Sequence, residues 1–528
     1  MRFIVQSDRR FPSDAGPRAA ILLPDSWDDF GFRTSYDLWF RRTVDTTPIE
    51  IGRVKIALVE QAPGPSPLPP GDFAEGLPTG LGEWISLGQD GQYYERIAEL
   101  EQQGLEILRG MGDITNLQLT EQKLNALAGS SPVFDTSLMR NLSAKTVLRQ
   151  YLRITAGGPK LVRYKFSYHS PDADSELAAR PPLEFEVRPN SVPSSNIHVL
   201  IGRNGVGKTT LLRSLATAAV RPFDLPDTAG KITYIEESGF ANVLLVTFSA
   251  FDPFATITPS HTTTRYMHVG LTTEPDGEPS DGDSADLKGR KKLAEAFLDS
   301  LKSIATSGHS DRWVNSLLTL ASDPQFDAAV LLGGDFIGGR ISPRLIDGIT
   351  HGDEPANSAG RSWREIFMSL SSGHAIVLLT LTRLVDLVGE QTLVLFDEPE
   401  AHLHPPLLSS FVRALSELLA ERNGVAIIAT HSPVVLQEVP RACVYKINRR
   451  HGRARRPRIE TYGENVGVLT HEIFGLEVSK SGFYAEVEKA VARFDTYEEV
   501  LGHFGNQLGD EAKGLVHILF AGKRTEER

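Results

Sequence analysis

Gly202-Arg203-Asn204-Gly205-Val206-Gly207-Lys208-Thr209-Thr210 lies between the apolar run Ile197-His198-Val199-Leu200-Ile201 and the segment Leu211-Leu212-Arg213-Ser214-Leu215-Ala216. The order is buried strand, glycine loop, helix, which is the context the phosphate-loop pattern G-x-x-x-x-G-K-[ST] requires. Gly202, Asn204, Gly205 and Gly207 let the backbone curl so that several N–H groups point into one concavity. The positive end of the following helix dipole faces the same hollow. Lys208 is placed to reach the β- and γ-phosphates, and the Thr209 hydroxyl, next to Thr210, to hold Mg²⁺. The stretch therefore predicts an α/β fold that binds a nucleoside triphosphate together with Mg²⁺.

A second apolar run, Thr392 to Phe396, delivers Asp397 and Glu398 at its end. Open α/β sheets place their ligands at the carboxyl ends of their strands. Asp397 is suited to the Mg²⁺ that Thr209 also touches, and Glu398 to polarising an attacking water. Leu370-Ser371-Ser372-Gly373-His374 precedes a long apolar helix, and Ala429-Thr430-His431-Ser432-Pro433 ends the run from Val425. Taken alone, the first reads equally as a helix N-cap and the second as a structural histidine.

In this order the motifs resemble those of the ABC ATPase superfamily. The family's signature loop is matched by LSSGH, its acidic pair by Asp397-Glu398 and its switch histidine by His431. The resemblance implies a P-loop NTPase of ABC type, with a mixed sheet core, an antiparallel β lobe and a helical lobe. It also implies a composite site: Ser371, Ser372 and Gly373 of one copy cap the γ-phosphate on the loop of a second copy. ATP then holds two copies together, and hydrolysis, with Glu398, Lys208 and His431 as the catalytic set, releases them. The string DEPEAHLHPP, from Asp397, is similar to the soluble OLD, RecF, Rad50 and SMC-like group. The compact chain resembles the ATPase subunits of bacterial anti-phage systems of the Septu kind, whose effector, such as a nuclease, is a separate protein. His402 and His404 admit two readings, metal ligands or contacts across a dimer, and the absence of a nearby cysteine favours the second. The glutamine that follows the third core strand in ABC proteins is replaced by SAFD, with Ser249 or Asp252 as substitutes. Tyr164, Phe166 and Phe185 are candidates for stacking on adenine.

Lys and Arg number 55 and Asp and Glu 67, a net charge of −12, which excludes a uniformly basic nucleic-acid coat but not a local patch. Arg449, Arg450, Arg453, Arg455 and Arg456 form such a patch, read either as phosphate-backbone contacts or as a solvated loop. The single cysteine, Cys443, excludes an intrachain disulfide. The charged start MRFIVQSDRR does not read as a secretion signal, and Ala375 to Val388 is too short and too charged to span a bilayer. A cytoplasmic location is expected, without direct membrane insertion.

Three regions are expected: 1–155, β-rich and helical; 156–447, the ATPase core with a helical insert at about 255–370; and 448–528, a basic hairpin with a helical tail. Alternating apolar residues predict strands near 32–40 and 54–58, a single helix over 93–108, a hairpin over 162–187 and a second hairpin pairing 443–447 with 458–462. No D-x-D pair follows His431, so a Toprim-type nuclease is not expected in this chain. Two other functions fit less well, a transporter's nucleotide-binding subunit and an ATP-gated scaffold that does not hydrolyse.

Overall fold

The computed structural model describes the chain apart from residues 13–14, 26, 118–119, 141, 172–180, 221–228, 236–238, 248–263, 271–284, 308, 322, 327–335, 338–339, 342–360, 448–453, 476–481 and 527–528. Seven strands form the central sheet, in the order Arg265–Gly270, Asn242–Thr247, Thr392–Asp397, Val425–Thr430, Ile197–Ile201, Val444–Ile447, Ala454–Arg455. Neighbours run parallel except for the last pair. The four inner strands, Asn242–Thr247, Thr392–Asp397, Val425–Thr430 and Ile197–Ile201, are buried throughout because both faces of the sheet are covered.

Their side chains alternate between two cores. Val199, Ile201, Phe396 and Ile428 pack with the helices Ala285–Ser307, Ser310–Leu320, Trp363–Ser369, Ser372–Leu387 and Pro405–Arg422. Leu200, Leu395 and Ile427 pack on the other side, with the helix Lys208–Val220 and a three-stranded antiparallel sheet. That sheet has the expected hairpin strands Tyr164–His169 and Leu183–Val187, joined by Lys231–Tyr234.

The N-terminal region builds its own six-stranded sheet, in the order Gly71–Ala74, Arg2–Val5, Ala19–Pro24, Ser35–Arg41, Ile49–Leu58, Trp84–Gly88. It has a separate core around Phe3, Phe40, Tyr94 and Phe134. Asp90, which caps the helix Gly91–Glu99, ties this region to the helices packed on the central sheet. Its carboxylate accepts from Arg312 at 3.0 Å and from Arg422 at 3.3 Å, and His309 Nε2 lies 2.8 Å away. Burial opposes ionisation of Asp90, but Arg422 and Arg312, with His309, outweigh it and hold the carboxyl well below its ordinary range. Arg153 adds an ion pair with Glu390 at 2.5 Å. At the other end, the helices Gly482–Arg493, Tyr497–His503 and Asp510–Glu526 enclose a small core around Val487, Val491, Val500 and Val516.

Three expectations are corrected. The helix over 93–108 is two helices, Gly91–Glu99 and Gln102–Gly110, broken at Glu101 with φ 52°. A Cβ on Gly104 would stand 2.0 Å from Ile97 O, so the second helix crosses closely over the first. The strand Val444–Ile447 pairs with Ala454–Arg455 rather than with 458–462, and Pro457 offers no N–H to extend that ladder. Arg265–Gly270, inside the span expected to be helical insert, is a strand of the central sheet.

Candidate functional site

Three neighbouring parallel strands end together. Thr430 lies opposite Ile201 and Ala429 opposite Asp397, so the glycine loop, the acidic pair and the segment at His431 emerge side by side at the carboxyl edge. Gly205 and Gly207 have φ 75° and 96°, which side chains rarely adopt, and nothing lies within 4 Å of where a Cβ would stand. Lys208 is buried beneath the loop, donating to Gly202 O at 3.0 Å and Arg203 O at 3.1 Å. Its Nζ is 3.6 Å from Glu398 Oε1.

Asp397 ends its strand buried, whereas Glu398 takes the left-handed conformation, φ 47° and ψ 59°. That turn separates the directions of the two carboxylates. The Glu398 N–H donates to Ala429 O at 2.8 Å, which fastens the turn to the neighbouring strand. Glu398 Oε1 also lies 3.7 Å from His431 Nδ1.

Glu400 is a site residue the sequence reading missed. Its Oε1 accepts from Thr430 Oγ1 at 2.6 Å and from His431 N at 2.7 Å, and lies 3.0 Å from His431 Nδ1. One buried carboxylate thus fixes both the backbone and the ring of His431. The second glutamate of Asp397-Glu398-Pro399-Glu400 was the available signal, but its partner is 31 residues away in sequence.

Ser371 caps the helix Ser372–Leu387, accepting from the His374 N–H. Ser371 and Ser372 are exposed. A Cβ on Gly373 would stand 2.6 Å from His402 O, so only glycine lets this helix start pack on the turn Pro399–His402. The N-cap reading of LSSGH is therefore correct for Ser371, and the exposed helix start still offers N–H groups to an anion.

The donor set at the strand edge suits Mg²⁺. Asp397 is a buried carboxylate and Thr209 a hydroxyl in the first helical turn, both hard oxygen ligands of the kind that ion takes alongside phosphate. The adenine-stacking candidates do not fit. Tyr164, Phe166 and Phe185 are buried in the core, with Phe166 and Phe185 stacked on each other at 5.0 Å and Tyr164 donating to Asn423 O. Ser249 and Asp252, and Arg449, Arg450 and Arg453, lie outside the described residues. Arg455 is exposed. Arg456 stacks on Tyr445 at 3.5 Å and donates to Val444 O and Glu184 O, so its guanidinium braces the sheet edge.

Comparison with known proteins agrees with this architecture. Residues 197–437 match the family described as "AAA domain, putative AbiEii toxin, Type IV TA system". That span holds the glycine loop, LSSGH, the acidic pair and His431. Protein ea59 of Escherichia phage lambda is 36% identical over 525 residues, covering 95% of this chain and 94% of the relative. Solved structures with a similar fold include cbiO1 of Clostridium perfringens, part of an ABC transporter complex, at 13% identity and TM-score 0.28, over 60% of this chain and 95% of that one. An ATP-binding cassette of an ABC transporter in its ADP conformation matches at 14% identity and TM-score 0.28, over 60% and 97%. At such scores these add nothing to what strand order and motif order already establish. No helix among the described residues is long and apolar enough to cross a membrane. The chain belongs to the same family as phage lambda protein ea59 and carries within it a P-loop ATPase domain of the ABC/AAA type.

Proposed function

We propose that the chain binds ATP with Mg²⁺, assembles with a second copy of itself around the nucleotide, and hydrolyses it. The observation that carries this reading is the meeting of Lys208, Glu398 and His431 at one sheet edge, in steps of 3.6 and 3.7 Å. In this reading the nest formed by Gly202, Asn204, Gly205, Gly207, Thr209 and Thr210 cradles the phosphates, and Lys208 reaches the γ-phosphate. Glu398, 3.6 Å from Lys208 Nζ, orients the attacking water. His431, held by Glu400, hydrogen-bonds the transferring group. Thr209 and Asp397 would hold Mg²⁺, which would supply neutralisation of phosphate charge. Ser371, Ser372 and Gly373 present a helix N-terminus to the γ-phosphate on the other copy.

The biological setting we infer is phage–host conflict, with the ATPase cycle regulating a separate effector, and nucleic acid as the signal or target. The matched family's description names a toxin of a toxin–antitoxin system, and the relative is a phage protein. The test of the composite site is the mass in solution of Glu398→Gln with and without ATP·Mg²⁺. An ATP-dependent dimer is expected, absent in Lys208→Ala. A mass that ignores ATP, with no nucleotide retained, overturns the reading.

A further inference from the structure

Away from the phosphate loop, two imidazoles and a carboxylate converge where three elements meet. Asp323 follows the helix Ser310–Leu320, His374 lies in the first turn of Ser372–Leu387, and His404 caps Pro405–Arg422. His374 Nε2 and His404 Nε2 lie 3.2 Å and 3.3 Å from the same atom, Asp323 Oδ2. The ligand atoms of all three residues fall within 4.8 Å of one another. We propose that Asp323, His374 and His404 form a binding site for a divalent transition metal of the zinc class, which fastens the LSSGH helix start to the segment that follows the acidic pair.

The spacing supports this. Ligands about 2.0–2.1 Å from a tetrahedral metal stand about 3.3 Å apart, close to the two separations found here. Two imidazole nitrogens with one carboxylate oxygen suit zinc and its neighbours, whereas Mg²⁺ and Ca²⁺ take oxygen. The surroundings fit as well. His374 Nδ1 lies 2.6 Å from Ser371 Oγ, a contact that fixes the ring's direction, and the Phe326 ring covers it at 5.5 Å. Asp323 and His374 are largely buried, while the His404 side chain is 51% exposed and leaves a path for the ion and for completing water.

The same geometry has a competing chemistry. Each ring can carry its proton on Nε2 and donate it to Asp323, with His404 Nδ1 accepting the Leu407 N–H at 3.3 Å. Metal binding moves both protons to Nδ1, gives up that long cap bond and turns two lone pairs toward the ion. It also explains how His404 acts as a metal ligand without a nearby cysteine: its partners come from distant parts of the chain.

The full-length chain is stripped with chelator and dialysed against Zn²⁺ in excess Mg²⁺, and bound metal is counted by elemental analysis. One zinc per chain is expected, with a rise in Tm on metal addition. His374→Ala and Asp323→Ala lose both. His404→Gln, at an exposed position that leaves the metal-free fold intact by circular dichroism, loses them as well. A wild-type chain that retains no zinc, or a His404→Gln variant that retains as much as wild type, overturns the proposal and leaves Asp323 as an acceptor of two N–H groups. Neither result depends on whether ATP is bound or hydrolysed.

Discussion

Replacing Asp90 by Ala removes the carboxylate on which the N-terminal region and the helices packed on the central sheet converge. Arg312, Arg422 and His309 all come within 3.3 Å of it. Deleting one partner of a buried ion pair costs about 3–5 kcal/mol, because the remaining charge stays buried without compensation. Two features put this site at the lower end. Arg312 keeps Glu421 at 3.0 Å, and Arg422 keeps the Val388 carbonyl at 3.2 Å. The lost cap of the helix Gly91–Glu99 adds about 1 kcal/mol. The expected total is about 4 kcal/mol, or roughly a thousandfold in the folding equilibrium. Asp90→Asn retains a capping side chain and loses the charge, so about 3 kcal/mol is expected for it. Because the folded pKa of Asp90 is depressed, its contribution is complete above the ordinary carboxyl pKa of about 3.9 and disappears only as pH falls through the lower folded value. The deficit should therefore be constant from pH 6 to 8. Urea unfolding monitored by tryptophan fluorescence measures it, since Trp313 and Trp363 are buried and lie 5.5 Å apart beside Arg312. A loss under about 1 kcal/mol for both variants refutes the claim that Asp90 joins the two regions.

Acid should destabilise the fold through two buried histidines. Burial, then Arg456, pushes His198 down to about 3, and burial, then Arg312, pushes His309 down to about 4. Both stay neutral in the fold while the unfolded rings charge near pH 6.5, so stability is complete above pH 6.5 and falls as pH approaches 4, by about 2 kcal/mol from each at pH 5. A His198→Leu variant should show a shallower loss between pH 6.5 and 5 by urea titration, and an unchanged slope counts against the assignment. Glu400→Gln should lower the ATP turnover rate by up to about 100-fold through misplacement of His431, with nucleotide affinity changed less than about threefold. A variant that loses affinity and rate together would instead indicate collapse of the loop, as read by nucleotide titration and steady-state hydrolysis.

Much of the core was legible because its information is local. A continuous apolar run ending in the glycine loop defines strand, loop and helix within 197–216, and the same pattern marks the strands that end at Asp397 and Thr430. Parallel strands buried on both faces announce themselves in this way. Apolar periodicity also revealed the alternating strands near Tyr36 and Val54, but it cannot register a break that keeps the same buried face. The chain turns at Glu101 and packs Gln102–Gly110 back on its neighbour without interrupting the pattern. The partner of Val444–Ile447 was likewise out of reach, because a ladder as short as Ala454–Arg455 is chosen by what lies beside it in space.

The sequence by itself determined the phosphate loop, the acidic pair and the identity of the ATPase domain, since spacing within a few residues fixes which backbone N–H groups and side chains share a strand end. Only the tertiary structure decided that Glu400 holds His431, that Tyr164, Phe166 and Phe185 are core rather than adenine platform, and that Asp323, His374 and His404 converge. These contacts join residues brought together by packing, and the free energy of packing depends on the whole surface a helix or strand buries. No local spacing encodes it.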